Sequence, residues 1–121
     1  MDLTIPGVDA EKGLDLYDGE MDIYVAVLRS YLTNTPAVLD RLRNVSADTL
    51  PDYIVGVHGV KGTSTTIGAE ETRKAALKLE LMAKAGDLSG VLAENNAFLK
   101  QADKLIDDIR RWLEQFEAKG G

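Results

Sequence analysis

Three rows of mostly apolar side chains repeat by sevens along the last third of the chain. They constrain the fold more than any other feature. Leu92, Leu99, Ile106 and Leu113 form one row, Asn95, Ala102, Ile109 and Phe116 a second, and Val91, Phe98, Leu105 and Trp112 a third. Seven residues span two helical turns, so the rows share one broad face of a single long helix. A face that wide contacts two neighbouring elements, as a helix inside a bundle must.

The rest of the chain supplies the neighbours. Asp9 is expected to cap a short helix from Ala10 to about Tyr17, ended by Asp18-Gly19. Met21, Tyr24, Leu28, Tyr31, Thr35, Val38, Leu42 and Val45 step by threes and fours, which predicts one helix continuing, kinked, through Pro36. Ser46 or Asp48 would cap a third helix, with Pro51 in its first turn and Gly68 at its stop. Its buried face reads Leu50, Tyr53, Val57, Val60, Ser64 and Ile67. A fourth helix spans about Ala69 to Ala85, closed by Gly86, and Asp87 or Ser89 caps the last. The predicted fold is all-α: an antiparallel four-helix bundle with a short preceding N-terminal helix, in a single domain over residues 1–121.

Composition narrows the function. A net charge of −6 disfavours nucleic acid, whose phosphates need a basic surface. No apolar run reaches the roughly 18–20 residues of a membrane span. No signal-peptide pattern opens the sequence. Cysteine is absent, which excludes disulfides and thiolate metal sites and fits a reducing cytoplasm.

The single histidine, His58, lies in the run His58-Gly59-Val60-Lys61-Gly62. At about 100° per residue it falls roughly 130° from the centre of the third helix's apolar face, and so faces solvent. Ile54, Lys61, Gly62 and Thr65 share its side of the helix. An exposed imidazole is a nucleophile available near pH 7. Lys61 holds a cation beside it. Gly62, which costs about 1 kcal/mol against alanine inside a helix, leaves room for another molecule to approach.

The stretch from His58 to Ala69 resembles the signature of histidine-containing phosphotransfer (HPt) domains: His, any residue, hydrophobic, Lys, Gly, small residues, then hydrophobic-Gly. Ile5-Pro6-Gly7-Val8-Asp9 with Gly13-Leu14, Tyr24 through Leu28, Tyr31-Leu32, Thr35-Pro36 and Leu79-Glu80 are similar to other parts of the family pattern. Val57 and Thr66 stand where many members have Ala and Asn, and Gly59 is an unusual residue after the histidine. The resemblance implies that His58 is phosphorylated on its outer ring nitrogen and that Glu80 holds the inner one. It implies that Lys61 offsets phosphoryl charge, and that Gly62 admits the partner's active site. Ile54 and Thr65 are candidate docking residues, and Ser64 a weaker candidate for phosphate contact.

No Walker loop, kinase signature or acidic magnesium cluster is present, so the chain reads as a phosphocarrier rather than an enzyme. It needs no cofactor of its own. Mg²⁺ is expected on the partner, a response regulator receiver domain or a hybrid histidine kinase, and the carrier is expected to be a cytoplasmic monomer. Two other readings remain: the phosphoacceptor domain of a chemotaxis-type histidine kinase, and a helical adaptor that is never phosphorylated. A di-metal bundle is disfavoured, because it wants paired Glu-x-x-His motifs and the chain has one histidine.

Overall fold

The three heptad rows lie on one helix, and every member except Leu92 is buried. In the computed structural model, which describes residues 3–120, that helix is α5 (Leu88–Ala118). Four helices precede it: α1 (Ala10–Asp15), α2 (Met21–Leu42), α3 (Leu50–Ile67) and α4 (Glu70–Lys84). Among the described residues the only β pairing is an isolated bridge between Ile5 and Val8, in the extended lead-in.

α2 packs on α3 and α5, and α4 packs on the same two, so α2 to α5 close into a four-helix ring. Cross-helix contacts give the directions. Tyr31 of α2 meets Ser64 of α3, while Leu42 meets Gly56. Arg29 pairs with Glu117 of α5, while the Leu42 carbonyl meets Asn95. Numbers rise on α2 as they fall on both neighbours, so the bundle is antiparallel, as the short connections require.

α2 runs unbroken through Pro36. Its buried residues include Tyr24, Leu28, Tyr31, Thr35, Leu39 and Leu42, so Leu39 takes the seam position expected of Val38. From Thr35, a step of four turns about 40° off the seam and a step of three about 60°, and the closer residue goes inside. Val45 lies beyond the helix end. α1 stops at Asp15, two residues short of expectation, and Asp18 and Gly19 follow with positive φ. Thr49, not Ser46 or Asp48, is the N-cap residue of α3; its hydroxyl accepts from the Ser46 amide at 2.9 Å. Asp9 and Asp87 cap α1 and α5 through their side chains, as expected.

The end of α3 is held by residues from earlier in the chain. Tyr17 donates to the Thr66 carbonyl at 2.7 Å, Tyr24 to the Ile67 carbonyl at 2.9 Å, and the Asp9 amide to the Gly68 carbonyl at 2.8 Å. These donors satisfy acceptors that a helix terminus leaves unpaired. Gly68 closes α3 with φ +81°, and a Cβ there would collide with the Asp9 carbonyl. Both conditions demand glycine.

Candidate functional site

α3 and α4 are joined by only Gly68 and Ala69, so they lie side by side. His58 sits ten residues before Gly68 and Glu80 eleven after Ala69, which brings the two to the same height. The His58 side chain is 65% exposed, as the helical wheel predicts. The Glu80 side chain beneath it is only 2% exposed, on the flank of the α4 face made by Ala76, Leu79 and Ala83.

Glu80 is the hub of the cluster. His58 Nδ1 lies 2.6 Å from its Oε2, Lys61 Nζ donates to its Oε1 at 2.7 Å, and Lys84 Nζ pairs with Oε2 at 3.2 Å. Burial pushes the Glu80 carboxyl up, but the hydrogen bonds from Lys61, His58 and Lys84 outweigh it and hold the group at about 2. An ionised carboxylate only accepts, so Nδ1 carries the proton in this contact. In a neutral ring the lone pair then sits on Nε2, at the exposed edge.

Gly62 and Gly59 border the histidine, and a Cβ built on either meets no atom within 4 Å. Packing inside the chain therefore does not explain these two glycines. Gly56, one turn earlier, differs: its Cβ would lie 2.5 Å from Leu42 Cδ2, where α3 crosses close to the end of α2. Gly59 lies on the edge of a groove of about 700 Å³ between α2 and α3, lined also by Val38, Leu42, Val55 and Gly56. Val55 is 73% exposed.

The other expected residues divide. Lys61 reaches the cluster but is bonded to Glu80 rather than standing free beside His58. Ile54 is half-buried and packs against the core. Thr65 is exposed, and its hydroxyl donates to the Lys61 carbonyl at 3.0 Å. Ser64 is fully buried and shares a 3.0 Å hydrogen bond with the Tyr31 hydroxyl, so it does not reach the His58 face. Lys84 was not among the expected site residues. The signal for it is its position four residues after Glu80, one turn along the same helix. Arg73 and Lys74 are paired with Glu70 and Glu71, away from the cluster.

A protein-family model, described as the Hpt domain, matches residues 26–119. The chain belongs to the Hpt-domain family. Hpt domains are phosphocarrier modules of phosphorelay signalling, working with receiver domains or kinases. Comparison with curated proteins and with solved structures gives no significant match. No helix of this Hpt domain is long and apolar enough, among the described residues, to cross a membrane. No group of three or more His, Cys, Asp or Glu side chains among them is arranged to hold a metal ion.

Proposed function

We propose that this Hpt domain carries a phosphoryl group on His58 Nε2 and exchanges it with receiver-domain aspartates. One observation carries the reading: a buried, ionised Glu80 holds Nδ1, which leaves the nucleophilic lone pair on the solvent-facing nitrogen. Lys61 and Lys84 put two cations beside the site of the incoming phosphoryl charge. Gly62 leaves the face open to the partner's phosphorylation site, and Ile54 and Thr65 lie on the contact side.

Phosphoryl transfer is largely positioning and charge neutralisation, usually with a metal. In this reading the receiver brings Mg²⁺ and the aspartate, and the Hpt domain brings a correctly held imidazole. The carrier works in the cytoplasm as a monomer.

The test is incubation with phosphorylated receiver domains and Mg²⁺, beside a His58→Gln variant. Acid-labile, base-stable label on wild type and none on the variant is the expected result. Absence of label across several receivers, with helicity intact by circular dichroism, would transfer the reading to an adaptor or to a kinase-fed phosphoacceptor domain.

A further inference from the structure

Glu80 acts on the phosphorylated state as well as on the free histidine, through charge. Lys61 and Lys84 contribute two positive charges and Glu80 one negative, each lysine lying within 3.2 Å of a Glu80 oxygen. With neutral His58 the cluster is therefore at +1. A phosphoryl dianion on Nε2 of a ring that has lost its Nδ1 proton takes it to −1. One proton on Nδ1, the atom already 2.6 Å from Glu80 Oε2, returns it to zero. Among the described residues, no ion pair from α2 or α5 reaches these four side chains, so α3 and α4 alone set the balance. An amide at position 80 would leave the phosphorylated cluster neutral without that proton.

The proton matters because of what leaves the phosphorus. When a receiver carboxylate oxygen or a water oxygen bonds to phosphorus, the P–N bond breaks and its electron pair returns to Nε2. From a ring protonated at Nδ1 the leaving group is neutral imidazole. From an unprotonated ring it is imidazolate, a far poorer one. Glu80 is buried and cannot be replaced by solvent, so the demand for the proton is built into the fold.

We propose that the Glu80 carboxylate keeps the phosphorylated ring of His58 protonated at Nδ1, and so sets this carrier to release its phosphoryl group rapidly instead of storing it. The inference rests on His58 being the phosphorylated residue. Glu80 is here a positioning residue, acting through the ring, and Lys84 opposes it by neutralising the same oxygen.

The experiment uses phosphoramidate, a small donor that needs no protein docking, to phosphorylate the full chain and its Glu80→Gln and Lys84→Met variants. Phosphohistidine is followed by ³¹P NMR, and protonation of the ring by ¹⁵N shifts, between pH 5 and 9. The expected result for Glu80→Gln is a ring midpoint lowered by at least one pH unit and, on the alkaline side of both midpoints, a phosphoryl lifetime about tenfold longer, the ratio one unit of midpoint implies. Lys84→Met is expected to move both readings the opposite way. A purely structural role for Glu80 would not produce opposed shifts. Equal midpoints and lifetimes in all three proteins overturn the proposal; if Glu80→Gln does not fold, an unmoved or lowered midpoint in Lys84→Met overturns it alone. Failure of every receiver to label a chain that phosphoramidate does label refutes the relay reading instead, and leaves the Glu80 result standing.

Discussion

A methyl group added at Gly62 meets nothing within the chain, whereas one added at Gly68 meets the Asp9 carbonyl and must adopt φ +81°. Two glycines about 9 Å of helix apart thus serve different ends, and alanine separates them. Gly62→Ala is expected to stabilise the fold by about 1 kcal/mol, through helix propensity alone, while slowing transfer from a receiver. Gly68→Ala is expected to destabilise by more than about 1 kcal/mol. Urea denaturation and transfer kinetics on the same samples check both. A Gly62→Ala protein that is less stable than wild type would contradict the reading of that glycine as an opening for the partner. Glu80 gives a second prediction at this scale. Its folded-state carboxyl is held at about 2, below the ordinary 4.5, so its ionisation favours the folded state above about pH 4.5. That contribution falls as pH drops from 4.5 towards 2. The stability difference between wild type and Glu80→Gln should therefore shrink across this window and stay level above it. A difference that is independent of pH from 2.5 to 6 would sink the assignment.

At the scale of elements, one polar residue ties three helices. Asn95, at the head of an otherwise apolar row of α5, accepts from the Tyr53 hydroxyl of α3 at 2.7 Å and donates to the Leu42 carbonyl at the end of α2 at 2.8 Å. Asn95→Leu keeps the volume roughly but strands two buried polar groups. A loss of about 2–4 kcal/mol is expected in urea denaturation, with Tyr53→Phe in the Asn95→Leu background restoring part of it. No restoration would mean that the pair is not coupled. The same helix shows what a sequence can disclose. Its seven-residue rows are a property of one element and were readable without any neighbour. Leu92 has the right spacing yet is 52% exposed, because α2 stops at Leu42 and the segment carrying Asn44, Val45 and Ser46 faces it instead of a helix. The outward direction of His58 was readable from the wheel of α3 for the same reason as the rows. Its pairing with Glu80 depends on how α4 is aligned against α3; the resemblance supplied it, although the two-residue connection also carries that information. Lys84 is marked only by its place one turn after Glu80, and the tyrosines that close α3 depend on tertiary placement that nothing local in the sequence marks.

On the scale of the whole molecule, the four-helix ring and the residues before it have separate tasks. The family model covers residues 26–119 and so leaves out α1, yet α1 and the lead-in complete the end of α3. Asp9 and Tyr17 bond its last carbonyls, Lys12 pairs with Glu70 at the start of α4, and Ile5 is buried in the core. None of these contacts touches His58 or Glu80, which lie about three helical turns away along α3 and α4. A chain starting at Glu20 should therefore keep the ring and the site but lose stability. The expected loss is about 2–4 kcal/mol, roughly the burial of Ile5 with one or two hydrogen bonds. Hydrogen exchange should accelerate in the last turn of α3 and the first of α4, while α5 and the middle of α3 keep their protection relative to global unfolding. Labelling of His58 by phosphoramidate should proceed at the wild-type rate at a temperature where the shortened chain is folded. If labelling falls with exchange in the middle of α3 unchanged, the N-terminal segment contributes to the site directly, and the division between ring and closure does not hold. If exchange rises uniformly instead, α1 is part of the same cooperative unit as the bundle, and the end of α3 is what holds that unit together.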